Sequence, residues 1–566
     1  MSSKQSPSVA PGPDDSGNTE LGSESANPLG ATLTRKARMR LFGGFVAVIG
    51  LCAATYFVPG CERLAPWQAD EGYVPFWNLL GRGSEEAEIQ RGNQQVSELE
   101  TLANDLPELQ EPRPEAAPTP AAATPPSAQL ANTYPPYVPH PDDGAEVVMP
   151  IVGIEALDYY YGQLTLTELK RPGAITRASQ WGDSVLGGDG LTDAMRKRMQ
   201  GRFGDSGHGF HVLARYSVGY RHLGVRYDDR GGWDSCLVIF KCRPDARYGY
   251  GGVSSASNGS GRSVWKTTRE GFGSSASRFE LWYAKYANGG GFEVKVDGQV
   301  AAIVDTRSDQ LGDGVEIIRF PDGEHELEVN AVGGGPARGY GVVIERETPG
   351  VVWDELSLIG SFTQRLDYQE PNHLAGQVRH RDVDMMVFML GGNDVQRGDI
   401  KRNPRPYEEE YLRVIRKFRA GKPQASCLIM SLIDHGERIG QSIRTRPVVP
   451  AIVQAQQRVA AEVGCGFFNT FEAMGGMNSI ERLYRAKPRL AAADFIHPTA
   501  AGQAVIATLA YRALMKGYVE FRKRKEGQPL PALDVAPTDP LGDNVIRNEL
   551  GAAQPSPDAL NAARNE

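Results

Sequence analysis

Asp384-Met-Met-Val-Phe-Met-Leu390, followed at once by Gly391-Gly392-Asn393-Asp394, is the stretch on which the fold turns. Its apolar run is continuous, not alternating. That is the pattern of a short strand buried on both faces, and such strands belong to parallel sheets covered by helices. Ser426-Cys-Leu-Ile-Met-Ser-Leu432 repeats the pattern, and helical spacings over 407–418 and 452–463 alternate with the two runs. Upstream, Leu191, Met195, Met199 and Phe203 recur at helical intervals. Strand and helix in alternation predict an α/β domain with a parallel sheet.

Between about 210 and 350 the pattern changes. Phe279–Tyr286, Gly291–Val296, Val300–Val304, Val315–Phe320, His325–Val332 and Tyr340–Glu345 are short, β-rich segments. Asp297-Gly298 and Pro321-Asp322-Gly323 are turn signatures between them. No long helical pattern interrupts them, so an all-β sandwich or jelly roll is expected, inserted into the α/β domain.

Three short motifs carry chemistry. Gly182-Asp183-Ser184 ends a predicted strand (Ala174–Trp181) and precedes a helix. A serine there is exposed at the C-terminal edge of the sheet, where open α/β folds place their sites. Gly391-Gly392-Asn393-Asp394 places an amide side chain after the next strand, where it can donate to an oxyanion. Asp494-Phe-Ile-His497-Pro498 precedes a helical run over 499–514. Its Asp and His, three residues apart, can present an imidazole to the serine with a carboxylate holding the other ring nitrogen. Each motif alone has an ordinary reading: a helix N-cap, a Gly/Asn turn, a surface His.

Together, and in this order, they resemble the SGNH (GDSL-like) hydrolases, with Ser184 in block I, Asn393 in block III and Asp494-x-x-His497 in block V. The resemblance implies a three-layer α/β/α, flavodoxin-like domain that hydrolyses esters through an acyl-serine. It implies no metal and no organic cofactor. Ser184, Asp494 and His497 would be catalytic; Ser184, Gly360 and Asn393 would form the oxyanion hole; Asp183, Gly392 and Asp394 would support them. Two stretches compete for the block II glycine: Tyr250-Gly251-Gly252-Val253 and Leu356-Ser357-Leu358-Ile359-Gly360. Gly360 is favoured, because it returns the chain to the α/β domain after the β module. Gly188-Asp189-Gly190-Leu191, Arg202–Gly209, Gly291–Gly298, Asp305-Thr306, Gly323–Glu328 and Val351-Val-Trp-Asp354 look like bacterial peptidoglycan O-acetylesterases with an inserted carbohydrate-binding-type jelly roll. Those enzymes commonly have His after the serine; here it is Val185.

Outside these motifs, His208, His211 and His222 cluster in sequence, but nothing beside them completes a zinc set, and a loop or module role is expected. His373, His380 and His435 lack an Asp three residues earlier in a comparable motif. Trp233, Trp265, Trp282, Tyr283 and Tyr286 could stack on sugars, although alternating strand positions favour core packing for most of them. Cys236 and Cys242 are close enough for a small-loop disulfide, with separate thiols an equal reading. Cys427 and Cys465 are expected as core residues.

The 566 residues exceed one core, and a net charge of −8 gives no electrostatic reason to bind nucleic acid. Residues 1–40 read as a disordered cytoplasmic tail ending in Arg35, Lys36, Arg38 and Arg40. Residues 41–60 read as one transmembrane anchor, with the N-terminus in the cytoplasm and a cleaved signal peptide as the alternative. Residues 61–148 form a polar, Pro-rich linker. The hydrolase domain follows as 149–212 and 351–525 around the module at 213–350, with a disordered tail at 526–566. The expectation is a single-pass inner-membrane protein whose catalytic domain faces the periplasm or outside. It would act as an O-acetylesterase on an acetylated glycan such as peptidoglycan. An O-acetyltransferase with the same triad and an inert glycan-binding protein are the alternatives.

Overall fold

The computed structural model describes residues 68–69, 72–73, 82–106, 132–533 and 545–549. The chain divides after Glu88 into two units. In the first, Gln68–Ala69 pairs antiparallel with Gly72–Tyr73. The apolar run at 41–60 lies outside the described residues. Among those described, no helix is long and apolar enough to cross a membrane.

The second unit is built on a five-stranded parallel sheet in the order 350–357, 175–182, 385–389, 426–430, 466–468. The run that opened the sequence reading shows why it sits in the middle. Met386, Phe388 and Leu390 pack with Ile415, Phe418 and Ile452 on one face. Met385, Val387 and Met389 pack with Met195, Val505 and Leu509 on the other. Both faces of the strand are apolar because both are covered, here by helices Pro371–Arg381, Arg405–Arg419 and Val449–Val463 on one side and Asp158–Glu168, Gly190–Phe203 and Ala500–Lys525 on the other. The result is the expected three-layer α/β/α domain.

The module is a sandwich of two antiparallel sheets. One has the order 299–305, 291–296, 326–332, 262–267, 225–229. The other runs 312–323, 276–285, 337–345, 253–257, 234–237. Phe292, Val294, Val329 and Trp265 of the first meet Phe279, Leu281, Val342 and Ile344 of the second. The second sheet is buried on its other face too, where Trp282, Ile317, Tyr340 and Val343 join the core that holds Trp181, Leu356 and Val378 of the hydrolase layer. Charge completes this seam. Arg381 donates to Glu345 and Asp354, at 2.7 Å each, and Arg177 donates to Glu345 at 2.9 Å, with every partner buried. Arg177 and Arg381 hold the Glu345 carboxyl at about 2, below its usual range, even though burial pushes it up.

Several boundaries differ from the sequence reading. Gly207–His211, assigned above to the hydrolase part, pairs with Ala337–Glu345 and so belongs to the module's sheet. Within the linker, Arg82–Asn104 is a helix whose Val96 and Leu99 are buried in the hydrolase core. That stripe was hidden among Glu, Gln and Asn. Tyr134 also packs on Phe521, and the Tyr134 amide donates to Gln528. In the tail, residues 526–533 therefore follow the surface of the domain, and Val545–Glu549 adds a parallel strand beside residues 315–319. Cys427 and Cys465 are buried as expected but joined as a disulfide, because strands 426–430 and 466–468 are neighbours. Cys236 and Cys242 form a second disulfide. Trp265, Trp282 and Tyr283 are core residues, whereas Trp233 and Tyr286 are half-buried.

Candidate active site

All three motifs emerge at the C-terminal edge of the parallel sheet. Ser184 lies two residues beyond Gly182, the last residue of its strand. The following helix begins only at Gly190, so turn amides, not a helix N-terminus, surround the serine. Leu186, Gly187 and Asp189 close that turn through backbone hydrogen bonds.

Across the edge, Ser184 Oγ lies 2.7 Å from His497 Nε2, and His497 Nδ1 lies 2.7 Å from Asp494 Oδ2. The second Asp494 oxygen accepts the backbone N–H groups of Ile496 and His497 at 2.9 and 3.1 Å. The short segment is thus self-bracing: one carboxylate holds both the ring and the loop that carries it. Partial burial pushes the Asp494 carboxyl up, but the hydrogen bonds from His497 and Ile496 outweigh it and hold the group below its ordinary value. The geometry suits transfer of the serine proton to an imidazole whose far nitrogen is fixed by a carboxylate.

Asp183 is buried. Its oxygens accept Val185 N–H at 3.1 Å and Gly392 N–H at 2.9 Å, joining two motifs. Burial pushes this carboxyl up to about 6, with the two N–H donors opposing. Gly392 permits the approach, since a Cβ there would lie 2.8 Å from Asp183 Oδ2. Asp394 is buried and accepts both the backbone N–H and the hydroxyl of Thr363, at 2.9 and 2.7 Å. Asn393 Nδ2 donates to the Ser361 carbonyl at 3.0 Å, leaving its second N–H. Gly360, at φ +83°, forms the turn directly before Ser361. These contacts tie the turn after residue 357 to the other two, although Gly360 is not itself part of the cleft wall. The rival Gly251 and Gly252 lie inside the module, against Phe210 and Leu358.

The cleft holds about 260 Å³ and is walled by Ser184, Val185, Asn393, Leu432, Ile433, His435, Arg446 and His497, among others. His435 and Arg446 were not picked out as site residues from sequence. The available signal was position: His435 follows the strand Ser426–Met430 at the same sheet edge. Burial, then the nearby His497 and Arg446, push His435 down to about 3, so it is neutral.

Residues 326–505 match the family model of GDSL-like lipases/acylhydrolases. The chain carries a GDSL-like hydrolase domain. It is an ester-hydrolysing enzyme of SGNH type. The match includes Asn393, Asp494 and His497 but starts after Ser184, because the inserted module separates the first motif from the rest. A solved peptidoglycan O-acetylesterase is similar to this chain at 22% identity and a TM-score of 0.54, covering 64% of this chain and 96% of its own. The likeness shows a shared fold. A salicylyl-acyltransferase from a tetracycline biosynthetic pathway is 14% identical, with a TM-score of 0.24 over 53% of this chain and 95% of its own. An acetylxylan esterase from Geobacillus stearothermophilus is 22% identical, with a TM-score of 0.22 over 29% of this chain and 73% of its own. No curated protein matches the sequence.

Proposed function

We propose that the protein is a carbohydrate O-acetylesterase that removes acetyl groups from peptidoglycan or another envelope glycan. The observation that carries this reading is the pair of 2.7 Å contacts linking Ser184 to His497 and His497 to Asp494 at the mouth of a small cleft. His497 Nε2 takes the Ser184 proton as Oγ attacks the acetyl carbonyl, and Asp494 holds the imidazolium that forms. The Ser184 N–H group and Asn393 Nδ2 stabilise the oxyanion, with the Gly360 turn behind them holding Ser361, to which Asn393 donates. Collapse breaks the bond between the acetyl carbon and the sugar oxygen, and that oxygen takes the proton from His497 to leave as the sugar hydroxyl. Water, activated by the same imidazole, then releases acetate and restores Ser184.

A cleft of about 260 Å³ suits a short acyl group better than a long chain, with the sugar left outside. The glycan class is carried over from the peptidoglycan O-acetylesterase that shares the fold, and from the sequence motifs quoted above. The module, packed against the hydrolase layer, would hold the glycan near the cleft and raise its effective concentration. An outward-facing location, anchored through residues 41–60, draws support from two disulfides, which persist in oxidising compartments. The test is acetate release from O-acetylated peptidoglycan and from acetylated xylan by the full-length protein, with S184A as the blank. Release from peptidoglycan supports the reading. Hydrolysis of aryl acetates with no release from either glycan would overturn the substrate assignment while leaving the esterase.

A further inference from the structure

The proposed reaction leaves one group of buried side chains without a role. His208 and His211 lie on the strand Gly207–His211, where residues three apart would ordinarily point to opposite faces. The ladder with Ala337–Glu345 slips at this point: Gly209 faces Ile344 but Gly207 faces Glu345, so His208 is the extra residue of a bulge. The bulge re-aims His208 to the side of His211. His222 arrives from the loop that follows, which is pinned where Arg221 N–H donates to the Gly187 carbonyl at 3.0 Å and Leu223 N–H to Asp189 Oδ2 at 2.8 Å.

One nitrogen of each ring lies within 4.8 Å of those of the other two. All three residues are buried, and none of the six ring nitrogens has a hydrogen bond to a described protein group. Burying one imidazole unpartnered is costly, and three converging ones call for a common ligand. A carboxylate stands beside them. Glu355 Oε2 lies 3.4 Å from His222 Nε2 without hydrogen-bond geometry, and it too lacks a partner. Asp189 Oδ2 is 3.7 Å from His222 Nδ1, but Arg196, Thr192 and Leu223 already satisfy that carboxylate.

We propose that His208, His211 and His222 bind a divalent transition-metal ion of the zinc type, with Glu355 as fourth ligand. Three imidazoles and a carboxylate are the donors that zinc takes in a closed tetrahedral site. Bonds of about 2.0–2.1 Å set such nitrogens about 3.4 Å apart, so the rings turn inward on binding. Glu355 lies on the strand beside the serine's own, and the His222 loop grips the turn of Ser184 through Gly187 and Asp189. The ion would therefore pin the module's first strand to the nucleophile turn, as a positioning site and not a catalytic one.

The test uses the full-length protein, purified without chelator or added metal, and reads metal content by plasma mass spectrometry. The protein is then stripped with a chelator and titrated with Zn²⁺ and, separately, Co²⁺. The expected results are one equivalent of metal bound per chain, a melting temperature that falls on stripping and recovers with Zn²⁺, and the intense visible bands of tetrahedral Co²⁺. H211A should lose those bands. Stripping and re-addition on the unmodified chain keep the test independent of whether that variant folds. Absence of stoichiometric binding, or Co²⁺ bands that persist unchanged in H211A, would overturn the assignment. Esterase activity enters none of these readouts, so failure of the metal site and failure of the proposed function are distinguishable.

Discussion

Asp494→Asn removes the charge from the proposed relay and turns an amide NH2 toward His497 Nδ1, which makes Nδ1 the acceptor and leaves Nε2 protonated. In the transition state His497 becomes an imidazolium, and its Nδ1 lies 2.7 Å from Asp494 Oδ2, with the charge centres about 4 Å apart. At that distance the attraction is worth about 1 kcal/mol in bulk water and about 4 kcal/mol near a protein surface. The Asp494 side chain is 47% exposed and that of His497 38%, so an intermediate value of about 2–3 kcal/mol applies. One power of ten in rate corresponds to about 1.4 kcal/mol, so the lost charge alone accounts for about 30- to 150-fold in kcat/KM, and the reversed tautomer deepens the fall toward about 10⁴-fold. The isosteric amide can still accept from Ile496 and His497 N–H, which keeps the loop in place. The assay is steady-state hydrolysis of an aryl acetate at neutral pH, with circular dichroism confirming the fold. A fall of less than threefold would refute the role given to Asp494.

Three further outcomes follow from the packing. Glu345 is held at about 2 against an unfolded value near 4.5, so its stabilisation is present above about pH 4.5 and lost as pH falls toward 2. Up to about 3 kcal/mol rides on it, and E345Q should flatten the acid limb of a melting-temperature profile; parallel limbs would contradict this. Gly392→Ala places a Cβ 2.8 Å from Asp183 Oδ2 and should cut esterase activity at least about tenfold with little change in secondary structure; unaltered activity would remove Asp183 from the support of the site. The Cys427–Cys465 bridge spans 38 residues, for which chain entropy gives about 4 kcal/mol. The double Cys→Ala variant should lose stability on that scale in denaturant titrations, and a loss below about 1 kcal/mol would refute it.

How far the sequence could be read follows from where each signal resides. The strand Met385–Met389 was legible because burial on both faces is written in the strand itself. The module was legible from its turns and the absence of helical spacing. The residues that meet at the sheet edge were legible because each lies in a short motif of its own, Gly182–Ser184, Gly391–Asp394 and Asp494–Pro498. What remained hidden depends on partners distant in sequence. Gly207–His211 has too little apolar character to read as a strand and becomes one only by pairing with residues 342–345. The Cys427–Cys465 bond requires knowing that their strands are neighbours. The convergence of the three histidines depends on a single bulged residue, and the carboxylate beside them, Glu355, lies more than 130 positions away. His435 escaped because the residue three positions earlier is Leu432, not Asp, and the adjacent Asp434 is turned to Thr445 and Ile480.

The most direct test of the central claim is aryl-acetate hydrolysis by the full-length protein beside its Ser184→Ala variant, under identical conditions and with matched folding by circular dichroism. Removal of the nucleophile should lower the rate by about three orders of magnitude or more. Equal rates in the two proteins would contradict the acyl-serine mechanism and, with it, the role of the Ser184–His497–Asp494 array.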